Sequence, residues 1–118
     1  MKHSLTVAGI LVLLTVTHPA RAAASCSSGD AYTQALCSFT QHDYNTASQR
    51  FEAIVGRGET VPETIKSIYF LARTDMKMRR WTEASSLLTR IYSIAPGFYR
   101  EWNCDFLLGQ CRRALGKD

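Results

Sequence analysis

The sequence is poor in the residues that catalytic and metal sites use. It contains three histidines among 118 residues, and two of them lie within the first 18 positions. The third, His42, precedes Asp43, but no serine or cysteine is placed to be activated by the pair, which we interpret as a solvated turn. No C-x-x-C spacing occurs, which argues against a thioredoxin-like site and a zinc knuckle. We therefore predict a protein that is not an enzyme and holds no cofactor or metal.

Long hydrophobic runs are also scarce, since the only one spans residues 5–16. A lysine and a histidine precede this run and small residues with A-x-A spacing follow it, which is the pattern of a secretory signal peptide. The run is shorter than a membrane-spanning helix of about 20 residues. We predict a signal peptide at residues 1–24 and one domain at residues 25–118, located in the periplasm or secreted. Lipidation of Cys26 after export is an alternative that the sequence leaves open.

An excess of charge of one sign is missing as well. Loss of Lys2 and Arg21 with the signal peptide takes two of the 14 basic residues and none of the 10 acidic ones, so the net charge falls from +4 to +2. This mild charge argues against nucleic-acid binding, which is typical of domains with a pronounced basic stripe. No second apolar run is long enough to cross a bilayer. We therefore expect no stable membrane insertion after signal cleavage.

Residues 62–96 carry the clearest structural pattern, two amphipathic segments joined by a short basic turn. Apolar residues recur in both segments at intervals of three and four, as on one face of an α-helix. Pro62 suits a first helical turn, and Pro96 is expected to end the second helix. Similar patterns predict two helices within residues 29–55 and a single helix over residues 98–115. The sequence therefore predicts an all-α fold of five helices.

The central hairpin has copies on both sides at a shift of 37 residues. An aromatic residue followed, after two other residues, by Ala-Ser recurs in two units. A small residue recurs at one position in all three units. Small residues are expected where two helices approach closely, so we predict such contacts at these positions. Repetition every 20–50 residues or so indicates stacked supersecondary units. The recurring residues are Tyr44, Ala47 and Ser48 with Trp81, Ala84 and Ser85, and the small residues Ala35, Ala72 and Gly109.

These units resemble the tetratricopeptide repeat family over residues 28–116. The resemblance implies helical hairpins in about two and a half repeats. The chain departs from the family pattern because the leading Trp is absent, Ala replaces Gly in two units, and the period exceeds the usual value of about 34 residues. We expect the additional length in the loops at 56–61 and 97–101. The matching residues are Leu71, Ala72, Trp81, Ala84, Leu88 and Pro96 in the central unit, Ala35, Tyr44, Ala47 and Phe51 in the first, and Leu108 and Gly109 in the last.

A basic cluster follows one side of the first central helix, where Lys66, Tyr69, Arg73 and Lys77 recur at helical spacing. In tetratricopeptide repeats the first helix of each unit lines a concave groove, and the resemblance implies such a groove here. Cations interleaved with aromatic residues suit an acidic or C-terminal peptide. The alternative is that these cations are ordinary solvated residues. The predicted partner-binding residues are Tyr32, Lys66, Tyr69, Arg73, Lys77, Phe106, Gln110 and Arg113.

Four cysteines remain in the predicted mature chain, and an even number in a small exported domain suggests disulfides. Cys26 can fold back from a Ser-rich lead-in to reach Cys37. Cys104 can pair with Cys111 only if the last helix begins after Cys104, because seven helical residues rise about 10.5 Å. A bridge between Cys37 and Cys111 is disfavoured, since they occupy equivalent places in the first and third units. Buried reduced thiols are the alternative to both bridges.

The resemblance implies a protein–protein interaction module of the cell envelope. Such modules are accessories or adaptors of envelope assemblies, including secretion systems, pili and cell-wall machinery. Two and a half repeats is a short array, near the minimum for stability, so the partner, self-association or the disulfides are expected to contribute. The alternative function is that of a disulfide-stapled secreted structural or effector protein without a peptide groove.

Overall fold

A computed structural model of the chain describes residues 9–10, 12 and 25–117. The predicted signal peptide, residues 1–24, lies outside the described residues except for those three positions. Over the described ranges the chain forms helices and no strand, which confirms the all-α prediction. The helices are α1 (Ala31–Thr40), α2 (Tyr44–Val55), α3 (Pro62–Lys77), α4 (Trp81–Ile94), α5 (Pro96–Glu101) and α6 (Cys104–Ala114).

Local sequence explains where the first three helices begin. The Asp30 carboxylate accepts a hydrogen bond of 2.8 Å from the Thr33 backbone N–H at the start of α1. Asp43 accepts one of 3.3 Å from the Thr46 N–H at the start of α2. Each satisfies a backbone donor that has no partner within the helix. At the start of α3 Pro62 occupies the first turn, where its missing N–H costs nothing.

Consecutive helices pack on one another along the chain. α1 packs on α2, α2 on α3, and α3 on α4, and α1 also touches α3. Further along, α4 packs on both α5 and α6. The central helix α3 therefore contacts α1 and α2 on one side and α4 on another. Its remaining surface lies between the N-terminal and C-terminal helices.

The core consists of two buried clusters that meet at α3. The first cluster joins α1, α2 and α3 around Phe51, and the second joins α3 and α4 to the C-terminal helices around Leu88. Val55 and Leu87 pack against both clusters. Burial of each large apolar side chain stabilises the fold by about 1.5–3 kcal/mol. The buried members are Ala35, Ala47, Phe51, Ile54 and Leu71 in the first cluster, and Ile68, Ala72, Ala84, Leu88, Ile91, Tyr99, Cys104 and Cys111 in the second.

The prediction of one helix over residues 98–115 is wrong, because two helices occupy this region. Pro96 ends α4 and at the same time begins α5, so the loop predicted at 97–101 is helical. Trp102 and Asn103 then separate α5 from α6, and Asn103 has a left-handed backbone with φ of 51°. Asparagine adopts this conformation more readily than most residues. The described residues thus contain six helices rather than five.

The recurring small residues do not all lie at close helix contacts. Ala35 and Ala72 are fully buried, as expected for positions where helices approach. A Cβ atom built on Gly109, by contrast, would have no atom of another element within 4 Å. The predicted close contact at Gly109 is therefore wrong. The third position lies on a side of α6 that no described helix covers.

One of the two expected disulfides is present. Cys26 and Cys37 are bridged with their Cα atoms 5.5 Å apart, which confirms that pairing. Cys104 and Cys111 are both buried and unbonded, so the second pairing is wrong. The reason is that α6 begins at Cys104, which puts both cysteines on one helix with a rise of about 10.5 Å between them.

An arginine also holds the disulfide-bonded segment against the first hairpin. The Nη1 atom of Arg50 on α2 donates to the carbonyl oxygen of Cys26 at 2.9 Å and that of Gln34 at 3.0 Å. It also lies 2.8 Å from the hydroxyl of Ser38. Hydrogen bonds from a charged donor contribute about 1.5–3 kcal/mol each when partly buried. The lead-in is thus tied both covalently and by this guanidinium.

None of the helices in the described part of the chain is long and apolar enough to cross a membrane.

Candidate functional site

The predicted basic cluster lies on one side of α3. Lys66, Tyr69 and Arg73 are half-buried and Lys77 is exposed at the last turn. Their spacing of three and four residues places them one above another on the helix surface. Because α3 lies between the two core clusters, this side of the helix adjoins α1 on one flank and α5 and α6 on the other. The cluster therefore occupies the middle of a surface formed by several helices.

Arg73 is held in place by aromatic rings rather than by acidic residues. Its guanidinium carbon lies 5.2 Å from the centre of the Phe39 ring, 5.6 Å from Phe70 and 5.8 Å from Tyr69. Such contacts are favourable by about 0.5–1 kcal/mol each at exposed sites. Within residues 25–117 the ion pairing of an arginine with a carboxylate occurs at Arg80 and Asp75, not at Arg73. The guanidinium thus keeps N–H donors that a carboxylate from outside can use.

The aromatic residues form a continuous wall from α1 to α5. Phe70 packs edge-on against Phe39 at 5.5 Å, and Tyr69 packs edge-on against Trp102 at 5.0 Å. Trp102 in turn stacks on Phe98 with ring centres 4.6 Å apart. Edge-to-face and stacked pairs contribute about 0.5–1.5 kcal/mol beyond their burial. This wall fixes the positions of Tyr69 and Arg73, so the surface is preorganised.

An open depression of about 230 Å³ lies beside Arg73, between α3, the start of α4, and α6. We call it the basic depression. It brings together the predicted residues Arg73, Lys77 and Gln110, which supply two cations and an amide. Three apolar side chains complete its lining, namely Met76, Trp81 and Leu107. An apolar floor with polar groups at the edge is the usual composition of a binding site for a side chain or short peptide.

Other predicted residues stay apart from this depression. Tyr32 is half-buried and packs against the rings of Phe51 and Phe70, each with centres 6.3 Å away, so it belongs to the wall and the first core cluster. Burial raises the pKa of Tyr32, and the charges of Glu63 and Asp30 raise it further.

On α6, Phe106 is 62% exposed and Arg113 is exposed, and neither lines the basic depression. Lys66 lies at the opposite end of α3, also outside its lining. Of the predicted residues, Tyr69, Arg73, Lys77 and Gln110 therefore lie together at or beside the basic depression. The other four, Tyr32, Lys66, Phe106 and Arg113, lie elsewhere on the surface.

Sequence reasoning missed several residues of this surface. Phe39, Phe70 and Phe98 were not predicted, and Trp81 and Met76 were assigned only to the apolar faces of their helices. These side chains come from different helices, and only their crossing brings them together. A usable signal exists for one position, because Tyr32, Tyr69 and Phe106 follow one another at the 37-residue shift and are all aromatic.

His42 lies where the sequence placed it, in the exposed turn between α1 and α2. Its Nδ1 atom is 2.7 Å from the hydroxyl of Tyr44, so its contact is with a phenol rather than with a nucleophile. Among the described residues no group of three or more His, Cys, Asp and Glu side chains is arranged to hold a metal ion.

Comparison with known proteins does not place the chain in a family. No family model matches it, no curated protein matches it, and no solved structure matches it.

Proposed function

We propose that this chain is an exported, tetratricopeptide-like interaction module that binds an acidic segment of a partner protein. The binding surface is the α3 side built from Tyr69, Arg73 and Lys77 with Gln110. The observation that carries the proposal is Arg73, whose guanidinium lies over three aromatic rings and beside an open depression. In this proposal the protein is not an enzyme, and its role is recognition.

The repeat architecture is supported by the order of helix contacts and by small residues. α1 pairs with α2 and α3 with α4, and α1 also touches α3, as expected for stacked hairpins. Ala47 and Ala84, which correspond at the 37-residue shift, are both fully buried. The second helix of each hairpin therefore meets its neighbours at an alanine. In stacked hairpins the first helices face a shared surface, which here includes the α3 side with the basic cluster.

The chemistry of the surface favours a carboxylate ligand. Arginine presents several N–H donors in a planar arrangement that matches carboxylate geometry. The rings under Arg73 limit its rotamers before binding, which lowers the entropy lost on association. Lys77 adds an exposed cation, and Trp81 and Leu107 offer an apolar floor. We therefore expect a short peptide segment with acidic residues and one apolar side chain.

Export is supported by the Cys26–Cys37 disulfide, because such bonds persist mainly outside the reducing cytosol. Together with the predicted signal peptide it favours the periplasm or secretion. Participation in an envelope assembly rests on the resemblance to tetratricopeptide repeats.

The alternative is a disulfide-stapled secreted structural or effector protein without a groove. It is favoured by the small size of the basic depression, about 230 Å³, which is below the usual range for ligand pockets of about 300–1,000 Å³. The same fold would then serve only to present an outer surface. A binding measurement on the α3 side decides between these functions.

The test uses peptides selected by the wild-type protein from a random library. We expect enrichment of Asp and Glu in the selected peptides and tighter binding at low salt, because exposed charges are screened over about 8–10 Å at physiological ionic strength. Lys77→Glu changes an exposed residue and should weaken binding about tenfold without loss of stability. Arg73→Glu with Lys77→Glu should abolish binding, since like charges in an interface cost several kcal/mol.

Two controls make the result specific. The pair Arg57→Glu and Arg90→Glu reverses the same number of charges at exposed positions outside the basic depression. Circular dichroism checks folding, because loss of the three ring contacts of Arg73 is expected to cost about 1.5–3 kcal/mol in total. A folded Arg73→Glu, Lys77→Glu protein that binds like wild type would place the binding surface elsewhere, with Trp102 and the exposed part of α6 as the next candidate.

A further inference from the structure

A second depression lies on another side of α3 and has the opposite charge. It lies between α2, α3 and α4, has a volume of about 410 Å³, and is lined by the carboxylates of Glu52, Asp75 and Glu83 and the apolar side chains of Leu71 and Leu87. We call it the acidic depression. Asp75 follows Arg73 by two residues, a rotation of about 200° around the helix. The basic and acidic depressions share no lining residue.

Asp75 carries an oxygen that has no hydrogen-bond donor. The residue is 4% exposed, and its Oδ1 atom has no hydrogen-bond partner within the described part of the chain. The nearest cation, Nη1 of Arg80, lies 3.8 Å from Oδ1, which is beyond hydrogen-bond length. A buried carboxylate oxygen without a donor is unfavourable, so a positive charge placed beside Asp75 in the acidic depression would stabilise the ionised side chain.

The charges around Asp75 also favour a bound cation. Burial raises the pKa of Asp75 to about 6; Arg80 lowers it, and the neighbouring carboxylates of Glu52 and Glu83 raise it. Three carboxylates from α2, α3 and α4 thus line the acidic depression, and the cation beside Asp75 is Arg80, whose side chain is 46% exposed. Negative charge in the acidic depression is only partly compensated by the protein.

We propose that the acidic depression binds a lysine side chain of a partner polypeptide. A lysine ammonium is compact and has three donors, so it can lie among the three carboxylates that line the acidic depression. The methylene stem of the lysine would lie along Leu71 and Leu87, as long cationic side chains do on apolar surface. The site differs from the α3 basic surface and does not depend on the proposed function.

The test is a titration of the ¹⁵N-labelled protein with lysine blocked at both backbone ends. We expect saturable shifts of the amide signals of Glu52, Asp75 and Glu83. The matched ligand is the same compound acetylated on its ε-nitrogen, which has no charge and should not bind. Blocked arginine should bind more weakly than blocked lysine. Tighter binding of arginine, or shifts that grow linearly at all acidic residues, would overturn the proposal.

Variants identify the group that holds the ligand. Asp75→Asn should weaken binding at least about tenfold, while Glu101→Gln, an exposed change outside the acidic depression, should have no effect. Glu83→Gln is exposed and does not threaten the fold, and it should weaken binding as well, so a failure of Asp75→Asn to fold leaves the proposal testable. Wild-type affinity retained in folded Asp75→Asn or in Glu83→Gln would refute it.

The pH dependence gives a further check. The ammonium binds the ionised carboxylate, so lowering the pH from 7.5 to 5 through the Asp75 pKa of about 6 should weaken binding about tenfold. Asp75→Asn should lose this dependence, and a wild type without it would contradict the proposal. Sedimentation in the same buffers tests the source of the lysine. Self-association that disappears in Asp75→Asn would show that a second copy supplies it and would overturn a separate partner.

Discussion

The first hairpin and the last two helices lie at the two ends of the helical part of the described chain, and they are stabilised by different means. In the first, the Cys26–Cys37 disulfide and the guanidinium of Arg50 tie the lead-in to α1 and α2. In the last two helices, both cysteines are buried and form no disulfide, and a left-handed residue, Asn103, interrupts the helical path between α5 and α6. The comparison teaches that two helical regions of one small chain can be held together by different interactions.

The recurring small residue shows the same difference. Ala35 and Ala72 are fully buried at helix contacts, whereas Gly109 has no neighbouring atom where a side chain would begin. A small residue at a repeat position is thus required only where another helix packs against it. Stability should accordingly be concentrated in the first hairpin and in the central helices α3 and α4.

The largest effect is expected from loss of the disulfide. Replacing Cys26 and Cys37 by Ala should lower the free energy of unfolding by about 2–3 kcal/mol, because the bridge closes a short loop, with a sequence separation of 11, in the unfolded chain. Urea unfolding measures this change. Reducing agent should destabilise wild type to the level of the variant and leave the variant unchanged.

The buried thiols provide the internal control for this experiment. Burial raises the pKa of the Cys104 thiol to about 11 and raises that of Cys111 as well. Both should therefore resist alkylation in the folded protein and react only after unfolding. Mass mapping of protein that is unfolded and alkylated without reduction should find a Cys26–Cys37 peptide and two alkylated cysteines, Cys104 and Cys111. Four alkylated cysteines without reduction would contradict the difference between the two regions.

A smaller effect is expected at the central helix contact. Ala84→Leu should lower the free energy of unfolding by about 2 kcal/mol, because Ala84 is fully buried in the second core cluster and added methylenes overpack it. Ala53→Leu is the matched control, since Ala53 is exposed on α2 and the same change meets solvent. Equal melting temperatures for the two variants would mean that Ala84 does not mark a helix contact and that the repeat register is wrong.

Sequence reasoning predicted the helices well where the signals were local. The apolar spacing of three and four residues located α3 and α4, and Pro62 marked the start of α3. The break at Asn103 was missed because the apolar pattern continues through it and only the backbone conformation changes. Pro96 was interpreted only as an end, although a proline also suits the first turn of a helix.

The candidate site could be predicted only where its residues share one helix, because only local spacing can be read from the sequence. The cations on α3 follow from spacing on one helix, so the sequence could place Arg73 and Lys77 on a common side of it. The rings of Phe39 and Trp102 come from α1 and from the turn between α5 and α6, and only helix packing brings them near α3. The Asp75 oxygen without a hydrogen bond depends on the burial of a single side chain, which no spacing in the sequence reveals.

The smallest expected effect concerns the uncovered side of α6. Gly109→Ala should raise the free energy of unfolding by about 0.5–1 kcal/mol, because alanine favours the helix and restricts the unfolded chain more than glycine does. Nothing within 4 Å opposes the added methyl group. Ala72→Gly, the reverse change at the equivalent buried position, should lower stability by at least the same amount, since it also removes packing. Urea unfolding of both variants at low and high protein concentration measures the contrast. The opposite result would be that Gly109→Ala destabilises the protein, and more so at high concentration. That result would mean that a second molecule covers this side of α6 in solution, so that Gly109 lies at a close helix contact as Ala72 does.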